Sequence, residues 1–340
     1  MGNQRKGRKV TLLDVARFAG TSKSTVSRVL LNQPRVSQAT RERVMQVVQQ
    51  YNYKPSMWAR GLRGANTGII GVIGRWLESG FSAETIRGIN AEVERHGGHL
   101  LISFAPGRDD YIEMWRTLVS GGQVDGLILV APPADIFQEE IYPSDKPTVL
   151  CAARPPDNEH WRNISSVTLD NRTAMRALMQ HLLEQGCRDI HYLTGPPDNV
   201  EAQDRIAIMQ DFAREHSGMK ITLMPGGWTR DLARETIRTY LAENKPLPDV
   251  FAAFNDTAAA GVLEALREEE VRVPEDVCVT GWDDSLFASF AELTTVQIPM
   301  ITLGENSAEM LYDIMADGGH EGGASQTMSM PLLVRKTTLR

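Results

Sequence analysis

Long apolar runs are missing from this chain. No stretch reaches the roughly 20 residues needed to cross a bilayer. The basic N-terminus is followed by no apolar segment of the kind a secretory leader carries. Cysteine is scarce: Cys151, Cys187 and Cys278 stand apart in apolar surroundings. They read as buried thiols of a reducing cytoplasm rather than a disulfide framework. Aromatic residues make up only 6% of the sequence. Catalytic signatures are absent too, with no GxxxxGK loop, no GxSxG elbow and no HExxH pair. The seven histidines are dispersed without metal-ligand spacing. Asp283 and Asp284 are adjacent carboxylates, and neighbours on one loop rarely converge on one reacting atom. The expectation is a protein that is not an enzyme and holds no cofactor or metal.

What is present is material for several domains. At 340 residues with 42% apolar content, two or three globular domains are expected. Charge is segregated along them. Residues 1–64 carry 13 Lys and Arg against Asp14 and Glu42, a formal +11, while the remainder carries −18. A basic head on an acidic body points to a polyanion partner at the head alone.

The head is patterned. Thr11 is placed to cap a helix, with Asp14 three residues on as an acidic variant of the capping box. Leu12, Val15, Ala16 and Ala19 share one helical face. Gly20 ends that helix, and Ser22 caps a second with Val26, Val29 and Leu30 facing inward. Two short helices joined at Gly20-Thr21-Ser22 make a helix-turn-helix. In that motif the start of the second helix enters the major groove. Lys23, Ser24 and Arg28 are therefore the expected base readers. The hydroxyls of Thr11, Ser22, Thr25 and Ser27 suit phosphate contacts. Ser37 caps a third helix, from Gln38 to about Tyr51, whose Val44, Val47, Val48 and Tyr51 face the first two. The segment from Ser56 to Gly64 is too short to form a stable helix alone, and Gly61 and Gly64 weaken it further.

These residues carry a resemblance. Thr11-Leu-Leu-Asp-Val-Ala, Ser24-Thr-Val-Ser-Arg-Val-Leu, Val36-Ser and Tyr53-Lys-Pro are similar to the LacI/GalR family of bacterial transcription regulators. The resemblance implies a hinge helix that pairs with its copy in the minor groove and wedges a leucine into the central base step. That residue is Leu62 here, with Ala59 beside it and Arg63 near the groove. Gly61 departs from the longer side chains common just before that leucine.

The body alternates strands and helices. Ile69–Ile73, Leu100–Ser103, Gly126–Val130 and Pro147–Cys151 read as buried parallel strands. Helices are expected over Ser82–Gly97 and around Tyr111–Ser120. The chain is expected to cross to a second lobe near Arg154–Ser165, with Val167-Thr168-Leu169 opening it. A helix Arg172–Gln185 and strands at Ile190–Gly195, Asp249–Phe254 and Val277–Gly281 follow. The return is expected near Val296–Ile298. A helix Leu303–Met315 and a tail strand Leu332–Val334 would then complete the first lobe, and Gly318–Gly323 reads as a flexible surface loop. This is an α/β chain: an N-terminal helix-turn-helix domain and a two-lobed body with parallel sheets resembling periplasmic sugar-binding proteins. The expected division is a head over 1–54, a hinge over 55–67 and a body over 68–340. The body would split into an N-lobe of about 68–153 and 299–340 and a C-lobe of about 154–298.

Ligands of open α/β sheets lie beyond the carboxyl ends of the strands, here between the lobes. Arg75 and Trp76, with Phe81 beyond them, follow the first strand, and Asn255 and Asp256 follow Phe254. Trp282, Asp283 and Asp284 follow Gly281, and Arg205 is expected to start a helix after the Gly195 strand. The family's effector residues carry over to Arg205, Asn255 and Asp283, with an aromatic at Trp282 or Phe81. Asp256, Asp170 and Asn171 read as helix caps. Arg154 and Trp228 are open between cleft and surface roles. Carboxylate, amide and guanidinium groups beside aromatic faces suit a polyhydroxylated ligand, a sugar or a sugar acid reached through Arg75 or Arg205. The resulting expectation is a cytoplasmic, nucleoid-associated homodimer that binds operator double-stranded DNA and is controlled by that effector. No heptad tail follows Leu333-Val334-Arg335, so a dimer is expected rather than a tail-linked tetramer. A solute-binding protein of the same body fold without regulatory DNA contact is the alternative, and an activator using the same fold is a third reading.

Overall fold

A computed structural model describes residues 10–30, 34, 36–53, 67–76, 80–138, 146–157, 161, 163–226, 228–318 and 323–339. The chain divides into two units, residues 1–67 and 68–340. The hinge residues Ala59, Leu62 and Arg63, and most of the expected loop at Gly318–Gly323, lie outside the described residues.

The first unit is built from α1 (Leu12–Phe18), α2 (Lys23–Leu30) and α3 (Gln38–Gln50). The capping box at its start forms as expected. Asp14 N–H donates to Thr11 Oγ1 at 3.3 Å, and Thr11 N–H donates back to Asp14 Oδ2 at 3.0 Å. Gly20 takes φ +60°, the left-handed geometry that closes α1, and Thr21 N–H donates to Ala16 O at 2.9 Å. Val15, Ala16, Ala19, Val26, Val29 and Val44 form the small core, with Val47 and Val48 against it. Phe18 and Tyr51 stack with centroids 4.7 Å apart, tying α1 to the end of α3.

The body holds two parallel sheets. The larger runs β11-β5-β4-β3-β1-β2, built from β1 (Ile69–Gly74), β2 (His99–Phe104), β3 (Gly126–Val130), β4 (Thr148–Cys151), β5 (Ser165–Leu169) and β11 (Ser325–Met328). The smaller runs β7-β6-β8-β9, from β6 (Asp189–Thr194), β7 (Lys220–Pro225), β8 (Val250–Ala253) and β9 (Cys278–Thr280). Strands β1, β3, β4, β5, β8 and β9 are buried along their whole lengths, which explains the apolar runs of β1, β3 and β8. Cys151, Cys187 and Cys278 are thiols buried in this core, with Cys187 Sγ 3.9 Å from Cys278 Sγ.

Two expectations about chain tracing are corrected. Val167-Thr168-Leu169 does not open the second lobe. It belongs to β5, which pairs with β4 in the first sheet through Cys151↔Val167. Its other neighbour is β11, whose Ser325 Oγ accepts from Ser166 Oγ at 3.3 Å. β11 is a polar edge strand, Ser-Gln-Thr-Met, and such edges carry no apolar signal. The tail strand is the second correction. Leu332–Leu333 (β12) pairs antiparallel with Thr295–Val296 (β10) instead of joining the first sheet. Beyond it Thr337 and Thr338 bond to Thr294, holding the tail against the second lobe.

Each lobe contains a helix pair packed backbone to backbone. Helix α4 (Gly80–Arg95) crosses the helix Met300–Ala316 at two glycines. A Cβ on Gly88 would lie 2.0 Å from Ile301 O, and one on Gly304 would lie 2.0 Å from Thr85 O. In the second lobe, a Cβ on Gly261 would meet Arg230 O at the same distance.

Candidate functional site

The described part of the head presents one polar helix face. Ser22, Lys23, Ser24 and Arg28 are exposed, Thr25 and Ser27 half-buried, and Val26 and Val29 point to the core. Ser22 Oγ accepts from Thr25 N–H at 3.1 Å and sits 2.8 Å from both Ser24 Oγ and Thr25 Oγ1. The three hydroxyls thus form one cluster at the α2 N-terminus, where backbone amides favour an anion. The Thr11 hydroxyl is already used, donating to Asp14 Oδ2 at 2.7 Å. Arg28→Ala should leave stability within about 0.5 kcal/mol, because the side chain is exposed. Loss of one base contact should weaken specific DNA binding by about 5–150-fold and leave random-sequence affinity nearly unchanged. Anisotropy titrations on both duplexes read the difference, and an equal loss on each would reduce Arg28 to a phosphate contact.

In the body, residues beyond the strand ends border a cleft of about 550 Å³ that is partly open to solvent. Arg75 and Trp76 reach it from β1, and Phe81 and Ser82 from the first turn of α4. Phe254 and Asn255 enter after β8, and Asp283 after β9. Helix Val200–Glu215 supplies Glu201 and Arg205. Ala131, Ala152 and Asp283 line the space with left-handed backbone, φ 43°, 54° and 120°. Such strained residues gather at functional sites because the surrounding fold must hold them there. Asp283 is held from both sides. Its N–H donates to Val296 O at 2.8 Å, and the next carboxylate, Asp284, accepts from Gln297 Nε2 and Arg335 Nη2, each at 2.7 Å.

Arg205 is the most constrained group. It is 3% exposed, donates through Nη1 to Phe254 O at 3.0 Å and through Nε to Asn171 Oδ1 at 3.4 Å. Its guanidinium lies 4.1 Å from the Trp282 ring and 4.7 Å from Phe254. Asn171 Nδ2 in turn donates to Glu201 Oε2 at 2.5 Å. Across the space, Arg75 donates to Pro106 O at 3.2 Å, pairs with Asp198 and stacks 4.0 Å from Trp76. Trp76 leans on Trp228 at 4.2 Å, and Trp228 meets Phe254 edge-on at 5.2 Å.

The buried carboxyls are shifted toward their neutral forms. Burial pushes Glu201 up to about 7, with Arg205 and the Asn171 hydrogen bond opposing. Burial also raises Asp283 well above the ordinary carboxylate range, Asp256 adding to the effect and Arg205 opposing it. Asp256 itself is pushed to about 6, again by burial, against hydrogen bonds from Thr295 and Ser285. Between the ordinary Glu value and about 7, folded Glu201 keeps a proton that the unfolded chain has lost. Its contribution is therefore intact below the unfolded value and is lost as pH rises through this window, by at most on the order of 3 kcal/mol. Glu201→Gln keeps an acceptor for Asn171 and should raise the melting temperature at about pH 8 while leaving it nearly unchanged at about pH 5. Asp256 adds a slope of the same sign, so the variant's curve should flatten without becoming level. Parallel curves for the two proteins would contradict this assignment.

Of the expected effector residues, Arg75, Phe81, Arg205, Asn255 and Asp283 do line this space. Trp282 does not. It is 1% exposed and lies against the Arg205 guanidinium, supporting it from the core side. Arg205 does not start its helix but sits in its second turn, because Asn199 caps the helix by accepting from Ala202 N–H at 2.8 Å. The cap of the helix Asp256–Glu268 is Asn255, not Asp256. Asn255 Oδ1 accepts from Ala258 N–H at 2.7 Å, while Asp256 turns inward to Thr295 and the Ser285 amide. Asp170 caps its helix as expected, accepting from Thr173 N–H at 3.0 Å, but Asn171 belongs to the Arg205–Glu201 network. Trp228 is a wall of the space, whereas Arg154 is exposed and outside it. Glu201, Asn199 and Asp198 were not singled out from the sequence. Their run after Pro196-Pro197 reads as a polar helix start, and only the tertiary fold shows what it faces.

Comparison with known proteins agrees with both units. Residues 11–56 match the family described as bacterial regulatory proteins, lacI family, and residues 179–338 match a periplasmic binding protein-like domain. The transcriptional repressor PurR of Vibrio cholerae is 32% identical over 327 residues, covering 92% of this chain and 93% of that protein. The crystal structure of the lac repressor dimer bound to operator and the anti-inducer ONPF superposes with TM-score 0.82 at 27% identity, covering 98% of this chain and 100% of that one. A complex of the transcriptional regulator CelR with cellobiose covers 96% of this chain and 99% of its own, at TM-score 0.69 and 26% identity. Among the described residues no helix is long and apolar enough to cross a membrane. The chain belongs to the lacI family of bacterial regulatory proteins, DNA-binding transcription repressors with an effector-binding domain, and is not an enzyme.

Proposed function

We propose that this protein represses carbohydrate-metabolism genes as a cytoplasmic homodimer, and that a sugar or sugar acid bound between the lobes sets its operator affinity. Lys23, Ser24 and Arg28 read bases, and Ser22, Thr25 and Ser27 seat α2 on phosphates. Ala59, Leu62 and Arg63 engage the minor groove at the operator centre. The observation that carries the reading is the cleft itself. A buried guanidinium held between two aromatic rings faces a strained carboxylate, all beyond the carboxyl ends of the strands. Hydroxyl groups match that mixture of donors, acceptors and apolar ring faces, and the CelR structure holds a disaccharide on a similar chain.

Support for the dimer comes from the short helix Leu286–Phe290. Leu286 is 77% exposed and Phe290 81%, an apolar face that a second copy would cover. The expected division into a head over 1–54, a hinge over 55–67 and two lobes stands as part of the proposal, with the first crossing moved to follow β5. Mobility shifts on palindromes upstream of the protein's own coding region test the reading. A specific complex at physiological salt that weakens or tightens on adding one member of a sugar and sugar-acid panel is the expected result. Specific DNA binding indifferent to every sugar, yet responsive to nucleosides or purine bases, would overturn the carbohydrate assignment.

A further inference from the structure

Arg75 is the one buried cation of the cleft whose hydrogen bonding is mostly unmet among the described residues. It is 5% exposed, and its Nε and Nη1 have no partner although neither reaches solvent. Nη2 alone is used, on Pro106 O and on Asp198, a carboxylate that is itself 41% exposed. Buried donors without acceptors are costly, and proteins keep them mainly where something else completes them. The opposite wall has the complementary character. Asp283 lines the cleft, and Asn255 Nδ2 donates only one hydrogen, to Trp228 O at 3.3 Å.

Charge sharpens the choice of ligand. Two guanidinium groups line the cleft, and Asp198 pairs with only one of them. Burial raises both carboxyls beside Arg205, Glu201 to about 7 and Asp283 well above the ordinary carboxylate range, with Arg205 opposing each shift. A neutral polyol brings no charged acceptor to the buried Nε and Nη1 of Arg75. A carboxylate gives those donors a charged, two-oxygen acceptor matched to the guanidinium fork.

We propose that the effector is a hydroxylated carboxylic acid, with its carboxylate on the Arg75 guanidinium of one wall and its hydroxyls turned to Asp283 and Asn255 on the other. This rests on the reading of the cleft as the effector site and adds the charge and the orientation of the ligand. The carboxylate binds beside Asp198 and competes with it for Arg75. The apolar part of the ligand lies along Trp76, Trp228 and Phe81.

The test is a matched thermal-shift and calorimetric panel on the full chain: D-gluconate, D-glucuronate and D-galacturonate against D-glucose and D-galactose, with adenosine and guanine as a third arm. Wild-type protein should be stabilised by at least one acid and not by its neutral parent. Arg75→Gln should weaken that acid by at least about tenfold, while Arg75→Lys, keeping the charge without the fork, recovers part of the loss. Arg205→Ala serves as the marker for cleft binding. A neutral sugar, nucleoside or base that binds, loses affinity in Arg205→Ala and is untouched by Arg75→Gln overturns the carboxylate proposal and leaves the cleft reading intact. A ligand whose affinity survives both variants overturns the cleft reading itself. Failure of every acid to stabilise the protein also overturns the proposal.

Discussion

Gly304→Val is expected to lower the melting temperature of the protein by about 6–12 °C, a loss of about 3 kcal/mol or more. The reason lies in what the new side chain meets. A Cβ at this position falls 2.0 Å from Thr85 O, 2.8 Å from Ile89 N and 3.0 Å from Thr85 C. These are backbone atoms of a neighbouring helix and cannot swing aside as a side-chain tip does. Gly88 meets Ile301 O in the same way, so the two helices touch through both glycines. Separating them would loosen Ile89, Val93, Leu303 and Leu311 from the core they share. Valine at a helix interior gains little propensity over glycine, and that gain is far smaller than the steric cost. Ala316→Val, on an exposed position of the same helix, is the control and should melt within about 1–2 °C of the parent. Equal melting of Gly304→Val and the parent would show that the crossing yields without cost.

Arg205→Ala is expected to reduce effector affinity by at least about 100-fold while operator binding by the ligand-free protein persists. Truncating a buried, hydrogen-bonded charge costs about 2–5 kcal/mol, part of it from the groups left behind. Here those groups are Phe254 O and Asn171 Oδ1, and the two ring faces lose the planar cation between them. Arg205→Lys keeps charge but not the stacked fork, so it should recover only part of the affinity. Calorimetric titration with a ligand identified by thermal shift reads the change, and circular dichroism confirms that the variant is folded. An unchanged dissociation constant would remove Arg205 from the site.

The head was legible because its signals are local. Thr11, Asp14, Gly20 and Ser22 act within three or four residues of themselves, and each forms the bond its type suggests. Strands β1, β3 and β4 were legible for a related reason: both faces are buried, so nearly every residue is apolar, Thr148 being the exception. β5 and β11 were not, because their partners lie about 160 residues apart in sequence and exchange Ser and Thr contacts. The cleft was half legible. Residues just after strands could be named, since topology puts them there, and Arg75, Asn255 and Asp283 were found that way. Trp282 was placed in the wall when it backs Arg205, because sequence cannot show on which side of a guanidinium a ring lies. Glu201 was missed because its significance comes entirely from what buries it, a helix turn packed toward Asn171 and Arg205. The left-handed backbone at Ala131 and Ala152 was missed as well, since alanine carries no sequence hint of positive φ.

The central claim is that the head reads a particular DNA sequence. The most direct measurement is fluorescence anisotropy of the full chain, at roughly physiological salt, on a duplex recovered by selection from a random pool and on a scrambled duplex of equal length. The account expects a palindromic selected site bound at least about 10³-fold more tightly than the scrambled one. Equal affinity for the two duplexes, with the same steep dependence on salt, would contradict it and leave only a basic surface attracted to phosphate.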